Sequence, residues 1–301
     1  MISAVVIGGV GAGGAVVAVG GVDLFVRRLG DPGLPALVVV HGGPTWDHSY
    51  LAAEIAQLVD VAHVVLFDLR GCGRSHRTPP QGDLPESDLQ PERVADDVAG
   101  LIRLLGSPAD VLGFSYGGRI AMRVVEQHPD VVRRLVLAST SAYTDFRDEL
   151  ERSPGFVERA AMCTEVAFDD PALSGPAVED SVLSRAMAYG GAPLQIWRLD
   201  RLEAWHRVLA KVRFTGDYNG PFAAGTLRSG APPDPVAVLR GWAGPTLIVH
   251  GAHDMAFPPG VARRLHAEVP GSRLVEVPEA GHMAHFDNPD RWLAAVREFL
   301  A

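Results

Sequence analysis

Three residues far apart in the chain have the types that acyl transfer at a serine requires. Ser115 stands in Gly113-Phe114-Ser115-Tyr116-Gly117-Gly118, Asp254 in His250-Gly251-Ala252-His253-Asp254, and His282 in Ala280-Gly281-His282-Met283. A serine hydroxyl is a weak nucleophile until a base takes its proton. A histidine does this best when a carboxylate fixes its tautomer and stabilises the imidazolium. In that chemistry His282 takes the Ser115 proton and later protonates the leaving group, and Asp254 holds the ring. The G-x-S-x-G pattern demands a strand before it and a helix after it. The turn is strained at the serine, so the residues two before and two after must be tiny; Gly113 and Gly117 are.

Such a reaction passes through an oxyanion that needs preorganised N–H donors. One is expected from Tyr116, the residue after the nucleophile. The other is expected from Gly43 in His41-Gly42-Gly43-Pro44, where a glycine lets the backbone approach the substrate. His41 is read as a structural histidine that hydrogen-bonds this loop. His285 and His253 are rivals. His285 is read as a packing or substrate contact, and His253 lacks a second His or Cys pair at metal-ligand spacing. Asp287 follows the base and is expected to cap the helix near Pro289. Asp68-Leu69-Arg70-Gly71-Cys72-Gly73-Arg74-Ser75 reads as architecture under the site, with charges that pair within the loop. Cys72 is taken as a small residue in a tight loop.

These residues must be positioned by elements, and the pattern supplies them. Short apolar runs bounded by turn residues predict buried strands at Ala36–Val40, His63–Phe67, Asp110–Phe114, Arg134–Ala138, Thr246–His250 and Arg273–Val277. Helical spacing predicts helices at Tyr50–Leu58, Arg93–Leu105, Gly117–His128, Pro259–Glu268 and Pro289–Leu300. Alternation of this kind implies an α/β fold with a mostly parallel sheet, helices on both faces, and ligands at the carboxyl ends of the strands. From 141 to 238 the strands vanish. Helical fragments at Val157–Val166, Val182–Met187 and Leu194–Val208, broken by Pro and Gly clusters, predict an inserted helical cap. The core is expected at 22–140 and 239–301.

The first 21 residues are rich in Gly, Ala and Val and are expected to be β, with strands at Ala4–Ile7 and Ala15–Val19. Gly9 to Gly14 match G-x-G-x-x-G, but residues 15–23 are β-rich rather than helical, so no nucleotide cofactor is expected. No basic region precedes the apolar run and glycines interrupt it, which argues against a signal peptide or a membrane partner. The expected location is cytoplasmic. The chain has 301 residues, 47% of them hydrophobic and 21% charged, with net charge −9. That suits one globular α/β unit with an insertion and offers no basic patch for nucleic acid. With two cysteines a disulfide framework is not expected. The expected partner is a small-molecule substrate, with no cofactor and no metal.

The order serine, acid, histidine and the loop motifs together resemble the α/β-hydrolase superfamily over about Val22 to Ala301. His41-Gly42-Gly43-Pro44, the D-x-R-G-x-G-x-S loop and Ser115-Tyr116-Gly117-Gly118 are similar to the prolyl iminopeptidase-like branch. That resemblance implies a core sheet of about eight strands, a helical cap and cofactor-free hydrolysis. Thr45 stands where the branch has a further Gly, and no Trp-x-x-Trp-Glu motif lies near Trp197 or Trp205.

The substrate readings are therefore a small ester, lactone or amide, with an aminopeptidase as the alternative. A non-hydrolytic protein of this fold, a receptor or cyclase, is the alternative of another class. An aminopeptidase needs a carboxylate facing Ser115 to hold the substrate ammonium. Glu203 and Asp200 are its candidates, with Glu158 and Glu165 further off, although Arg198, Arg201 and Arg207 could neutralise the first pair as surface ion pairs. Trp197, Trp205, Phe214 and Phe222 offer aromatic surface for an apolar substrate, and His285 is a further candidate contact.

Overall fold

A computed structural model of the chain describes residues 6–7, 13–75, 84–164 and 180–301. Ala4, most of the Gly9–Gly14 motif, Glu165, Val166 and the Pro and Gly clusters at 170–176 lie outside the described residues. The described strands are β1 (Val6–Ile7), β2 (Ala15–Val19), β3 (Val22–Leu29), β4 (Ala36–Val40), β5 (His63–Phe67), β6 (Ala109–Phe114), β7 (Val132–Ala138), β8 (Thr246–Gly251) and β9 (Arg273–Val277). They form one sheet in the order β1-β2-β3-β5-β4-β6-β7-β8-β9. The pairs β1–β2, β2–β3 and β3–β5 are antiparallel. Every pair from β5 onward is parallel. The fold is a mostly parallel α/β sheet, as the alternation predicts.

Two-residue periodicity divides the core. Val38 and Val40 of β4 point to one face, with Val65, Val111 and Leu135. Leu37 and Val39 point to the other, with Val64, Leu112 and Val136. Helices Pro91–Leu104 and Tyr116–Gln127 bury their apolar sides on the first face. Helix Pro289–Leu300 buries Trp292, Leu293, Val296 and Leu300 on the second. Burying each such side chain contributes about 1.5–3 kcal/mol.

Several expectations change in detail. Ala15–Val19 is the strand expected there and pairs along its whole length with β3, and Val6–Ile7 pairs with it, so both described strands extend the sheet. Sequence reasoning missed β3, whose Asp23, Arg27 and Arg28 interrupt the apolar pattern because only part of its length is covered. Leu194–Val208 is not one helix but Ala192–Gln195, a 3-10 turn at Leu199–Arg201, and Leu202–Leu209. Tyr50–Leu58 is divided into short α and 3-10 turns. The expected return to the core at 239 falls inside helix Pro235–Trp242, whose Val236 and Leu239 already pack in the first core face beside Tyr116–Gln127. Among the described residues no helix is long and apolar enough to cross a membrane.

The sheet brings the loops after β4 and β6 into contact, and glycine makes that possible. A Cβ on Gly117 would run into the carbonyl oxygens of Val40 and His41. Backbone cannot yield as a flexible side chain can, so Gly117→Ala should destabilise the protein by about 1–3 kcal/mol, the usual cost of overpacking. Urea unfolding checks this; an unchanged midpoint would show that the two loops have room to separate.

Candidate active site

Ser115 sits between β6 and helix Tyr116–Gln127 with φ 55° and ψ −119°. A non-glycine residue there costs about 1–3 kcal/mol, which surrounding bonds must offset. Ser115 N–H donates to Ala138 O, and Ser115 O accepts from Thr140 Oγ1 at 2.7 Å and from Gly118 N–H at 3.0 Å. The strained turn thrusts the side chain out at the end of β6. His282, in the loop after β9, places Nε2 3.0 Å from Ser115 Oγ. Its Nδ1 lies 2.9 Å from Asp254 Oδ2, in the loop after β8. The structure therefore brings together the three residues that the sequence singled out.

Asp254 has no solvent exposure. Burial alone would raise its pKa. The charge and hydrogen bond of His282, the nearby His250 and the Phe257 N–H outweigh burial and hold the carboxyl below its ordinary range. Its Oδ1 accepts from Ala256 N–H at 2.8 Å and Phe257 N–H at 2.9 Å.

The loop after β4 faces Ser115. A Cβ on Gly42 would press on Ser115 Cβ. Gly42 N–H is already used, donating to the Tyr50 hydroxyl at 2.8 Å. Gly43 comes next, with φ +53°. Tyr116 opens its helix, where an N–H has no intrahelical acceptor. His41 is a buried strut. Leu69 N–H donates to its Nε2 at 3.0 Å, so Nδ1 carries the proton and donates to Gly42 O at 2.8 Å. In the 68–75 loop, Asp68 accepts from His48 Nδ1 at 2.5 Å and Arg74 N–H at 2.8 Å. Arg70 pairs outside that loop, against expectation: its Nε and Nη2 grip Asp97 on helix Pro91–Leu104, both at 2.6 Å. Cys72 is buried, donates to Pro44 O, and has its thiol pKa pushed well up by burial.

The other expected substrate contacts lie in varied surroundings. Glu203 is 89% exposed and pairs with Arg207 at 2.6 Å, an ordinary i, i+4 surface pair. Asp200 is 63% exposed and pairs with Arg198, and Glu158 is also exposed. Trp205 is fully buried inside the cap, its Nε1 donating to Gln195 Oε1 at 2.8 Å and its ring against Phe286. Trp197 lies flat on His253 at 3.8 Å, under the Arg159 guanidinium. His285 is fully buried against Tyr50, Phe114 and Trp292 and donates through Nε2 to Tyr50 O at 3.3 Å. Asp287 does not cap a helix; the Asn288 side chain does, accepting from Arg291 N–H. Asp287 instead accepts from Trp197 N–H at 2.7 Å, Gly281 N–H at 2.8 Å and Arg198 N–H at 3.2 Å, clamping the cap to the His282 loop.

A cavity of about 230 Å³ lies where the Pro44–Trp46 loop meets the cap. Ser184, Met187, Gln195, Asn219 and Phe222 complete its walls. Trp46, which sequence reasoning missed, packs on Tyr50 at 5.1 Å and Phe214 at 5.6 Å. Its only sequence signal is an aromatic directly after His41-Gly42-Gly43-Pro44-Thr45. A larger cleft of about 570 Å³ is lined by residues such as Arg119, Tyr143, Pro235 and Glu268, and neither cavity is lined by Ser115, Asp254 or His282. The Pro44–Trp46 wall of the smaller one directly follows Gly42 and Gly43, and Gly42 lies against Ser115.

A model of the alpha/beta hydrolase fold family matches residues 35–289, and the chain belongs to that family. It is 27% identical to the sn-1-specific diacylglycerol lipase ABHD11 of Mus musculus, over 90% of this chain and 83% of that one. It is 27% identical to the proline iminopeptidase of Saccharolobus solfataricus, over 88% and 84%. Among solved structures, the enol-lactonase from Burkholderia xenovorans LB400 superposes with a TM-score of 0.70 at 27% identity, over 95% and 99%.

The buried His285 generates a prediction about stability. Burial lowers its pKa from 6.5 to about 3. A depressed histidine is neutral when folded, while the unfolded chain gains a proton on acidification. Its contribution is thus fully present above about 6.5 and is lost progressively as pH falls towards about 3. His285→Gln keeps an N–H for Tyr50 O but cannot titrate. Between pH 7 and pH 5 the wild type should lose about 2 kcal/mol more stability than this variant. Urea denaturation at the two pH values checks it; parallel losses would mean that His285 is not held neutral.

Proposed function

We propose that this protein is a serine hydrolase acting on a small ester, lactone or amide with an uncharged acyl side. The observation that carries the reading is the continuous link Ser115 Oγ, His282 Nε2 and Nδ1, and Asp254 Oδ2, at 3.0 and 2.9 Å, on a strained turn. As Ser115 Oγ attacks the carbonyl carbon, its proton passes to His282 Nε2 and the carbonyl electron pair moves to oxygen. The N–H groups of Gly43 and Tyr116 receive that oxyanion. Collapse breaks the bond to the leaving group, which takes the proton from His282. Water then repeats the sequence on the acyl-enzyme, with His282 as base, and releases the acid. Asp254, ionised throughout, stabilises the imidazolium at each stage.

The neutral cavity supports the acyl preference. Among the described residues its walls carry no charged side chain. Its amides are already engaged: Gln195 receives Trp205 Nε1 and donates to Ala188 O, and Asn219 donates to Ser184 Oγ. A free α-ammonium would lose hydration there without a counter-charge, which costs several kcal/mol. The lipase and lactonase relatives act on bonds of the proposed kind, and the iminopeptidase relative supplies the competing reading.

Fluorophosphonate should label the wild type, and Ser115→Ala should abolish labelling and lower kcat by about four to six orders of magnitude while leaving unfolding unchanged. Undiminished labelling of that variant would overturn the assignment. Substrate class is read from paired compounds sharing a leaving group, one with a free α-amine and one with the amine acylated. The acylated member should be turned over at least as fast, as judged by kcat/KM; a strict requirement for the free amine would establish the aminopeptidase reading instead.

A further inference from the structure

His250 lies near the end of β8, four residues before Asp254, and is fully buried. Its Nε2 is 2.8 Å from Phe257 O and 3.3 Å from Asp254 Oδ2. A carbonyl oxygen only accepts, so Nε2 carries the proton and the ring is the Nε2–H tautomer. The N–H donates to the carbonyl, and Asp254 Oδ2 lies 3.3 Å from the same nitrogen, close enough to feel its positive dipole end. Nδ1 has no partner among the described residues.

Both oxygens belong to groups that act on His282. Asp254 Oδ2 is the atom that faces His282 Nδ1. Phe257 stands edge-on to the His282 ring at 5.6 Å, and its N–H donates to Asp254 Oδ1. Phe257 therefore links the His250 ring to the carboxylate under His282 and is itself the aromatic wall beside it. We propose that His250 is a positioning residue for the Asp254–His282 pair: its Nε2–H holds Phe257, which donates to the carboxylate that orients His282 and confines the His282 ring.

This inference rests on the reading of Ser115, His282 and Asp254 as a triad. Few titratable or charged groups face the cluster. Asp254 and His282 belong to it, and Ser115 lies on the elbow. The neutral His285 interacts with His282. Glu276 of β9 is paired in register with His250 and held by Arg263. Arg119 lies over the Phe257 ring. Removing the His250 N–H takes away a positive dipole end 3.3 Å from Oδ2, so the carboxylate acts more strongly on the His282 imidazolium, and it frees Phe257, so the carboxyl plane is held less well. The first effect moves the acid limb of the reaction to higher pH, and the second slows the reaction at its plateau.

The test uses the rate of fluorophosphonate labelling as a function of pH, which needs no substrate. His250→Gln keeps an amide N–H at the Nε2 position, while His250→Asn ends at the Nδ1 position and loses it. His250→Asn should label about tenfold more slowly at the plateau, the scale of one lost hydrogen bond. Its acid limb should rise by about half a pH unit, a partial loss on the scale of one pKa unit per 1.4 kcal/mol. His250→Gln should recover most of the rate and the wild-type limb. Equal behaviour of the two variants, or a slower rate with an unmoved limb, would overturn the positioning role. Failure of the underlying reading is distinguished because it would appear as labelling that survives Ser115→Ala, whatever His250 does.

Discussion

A carboxylate with no exposure to water must find its donors and counter-charge inside the protein, and Asp254 finds them only because two strand ends are adjacent. Its four close interactions come from His282 after β9, from Ala256 and Phe257 in its own loop, and from His250 on β8. Parallel pairing of β8 with β9 sets the distance between those loops. Pairing of β6 with β7 and β7 with β8 then brings Ser115 within 3.0 Å of the same histidine. If the donors moved away, burial would win and the carboxyl would take up a proton, leaving His282 without its stabilising charge. The order of the sheet and the ionisation of one side chain are thus a single constraint.

The cap is bound to this constraint by backbone groups. Gln195 O accepts from Met283 N–H at 2.8 Å, one residue past His282. Asp287 receives N–H groups from Trp197 and Arg198 on the cap and from Gly281 beside the histidine. Arg201 donates to Phe286 O and Asp287 O, and Arg159 to the carbonyls of Pro193, Ile196 and Trp197. The 193–201 segment therefore cannot shift without disturbing the loop that holds His282. On the other side Thr215 N–H donates to Thr45 O, tying the cap to the loop that faces the nucleophile.

Much of the framework was legible in the sequence because it depends on local rules. The strands at Ala36–Val40, His63–Phe67 and Arg273–Val277 and the helices at Pro259–Glu268 and Pro289–Leu300 fall where apolar runs, prolines and periodicity place them. The serine, acid and histidine were legible because each comes directly after a strand and stands beside small residues. The cap contacts were not. Trp205 and Glu203 are two residues apart on one helix, yet one is buried and the other is 89% exposed, and composition cannot tell which face meets the core. Asp287 and His250 escaped for a related reason. Two of the N–H groups that Asp287 accepts come from the cap, and His250 meets Asp254 and Phe257 only through the turn that folds the next loop back, so spacing along the chain reveals a polar residue but not the group it meets.

Charge obeys the same division. In the cap's 198–207 stretch, charges pair at the surface, Arg198 with Asp200 and Glu203 with Arg207. Against the nucleophile loop the described walls are Trp46, Met187, Phe222 and amides that are already hydrogen-bonded. Exposed ion pairs contribute about 0–1 kcal/mol each to stability. Turned inward, the same groups would each cost several kcal/mol in lost hydration unless a substrate charge met them. The described walls of the Pro44–Trp46 cavity carry no such group, and on the proposed reading they favour shape and apolar contact, with the developing oxyanion as the new charge to be met by backbone N–H groups.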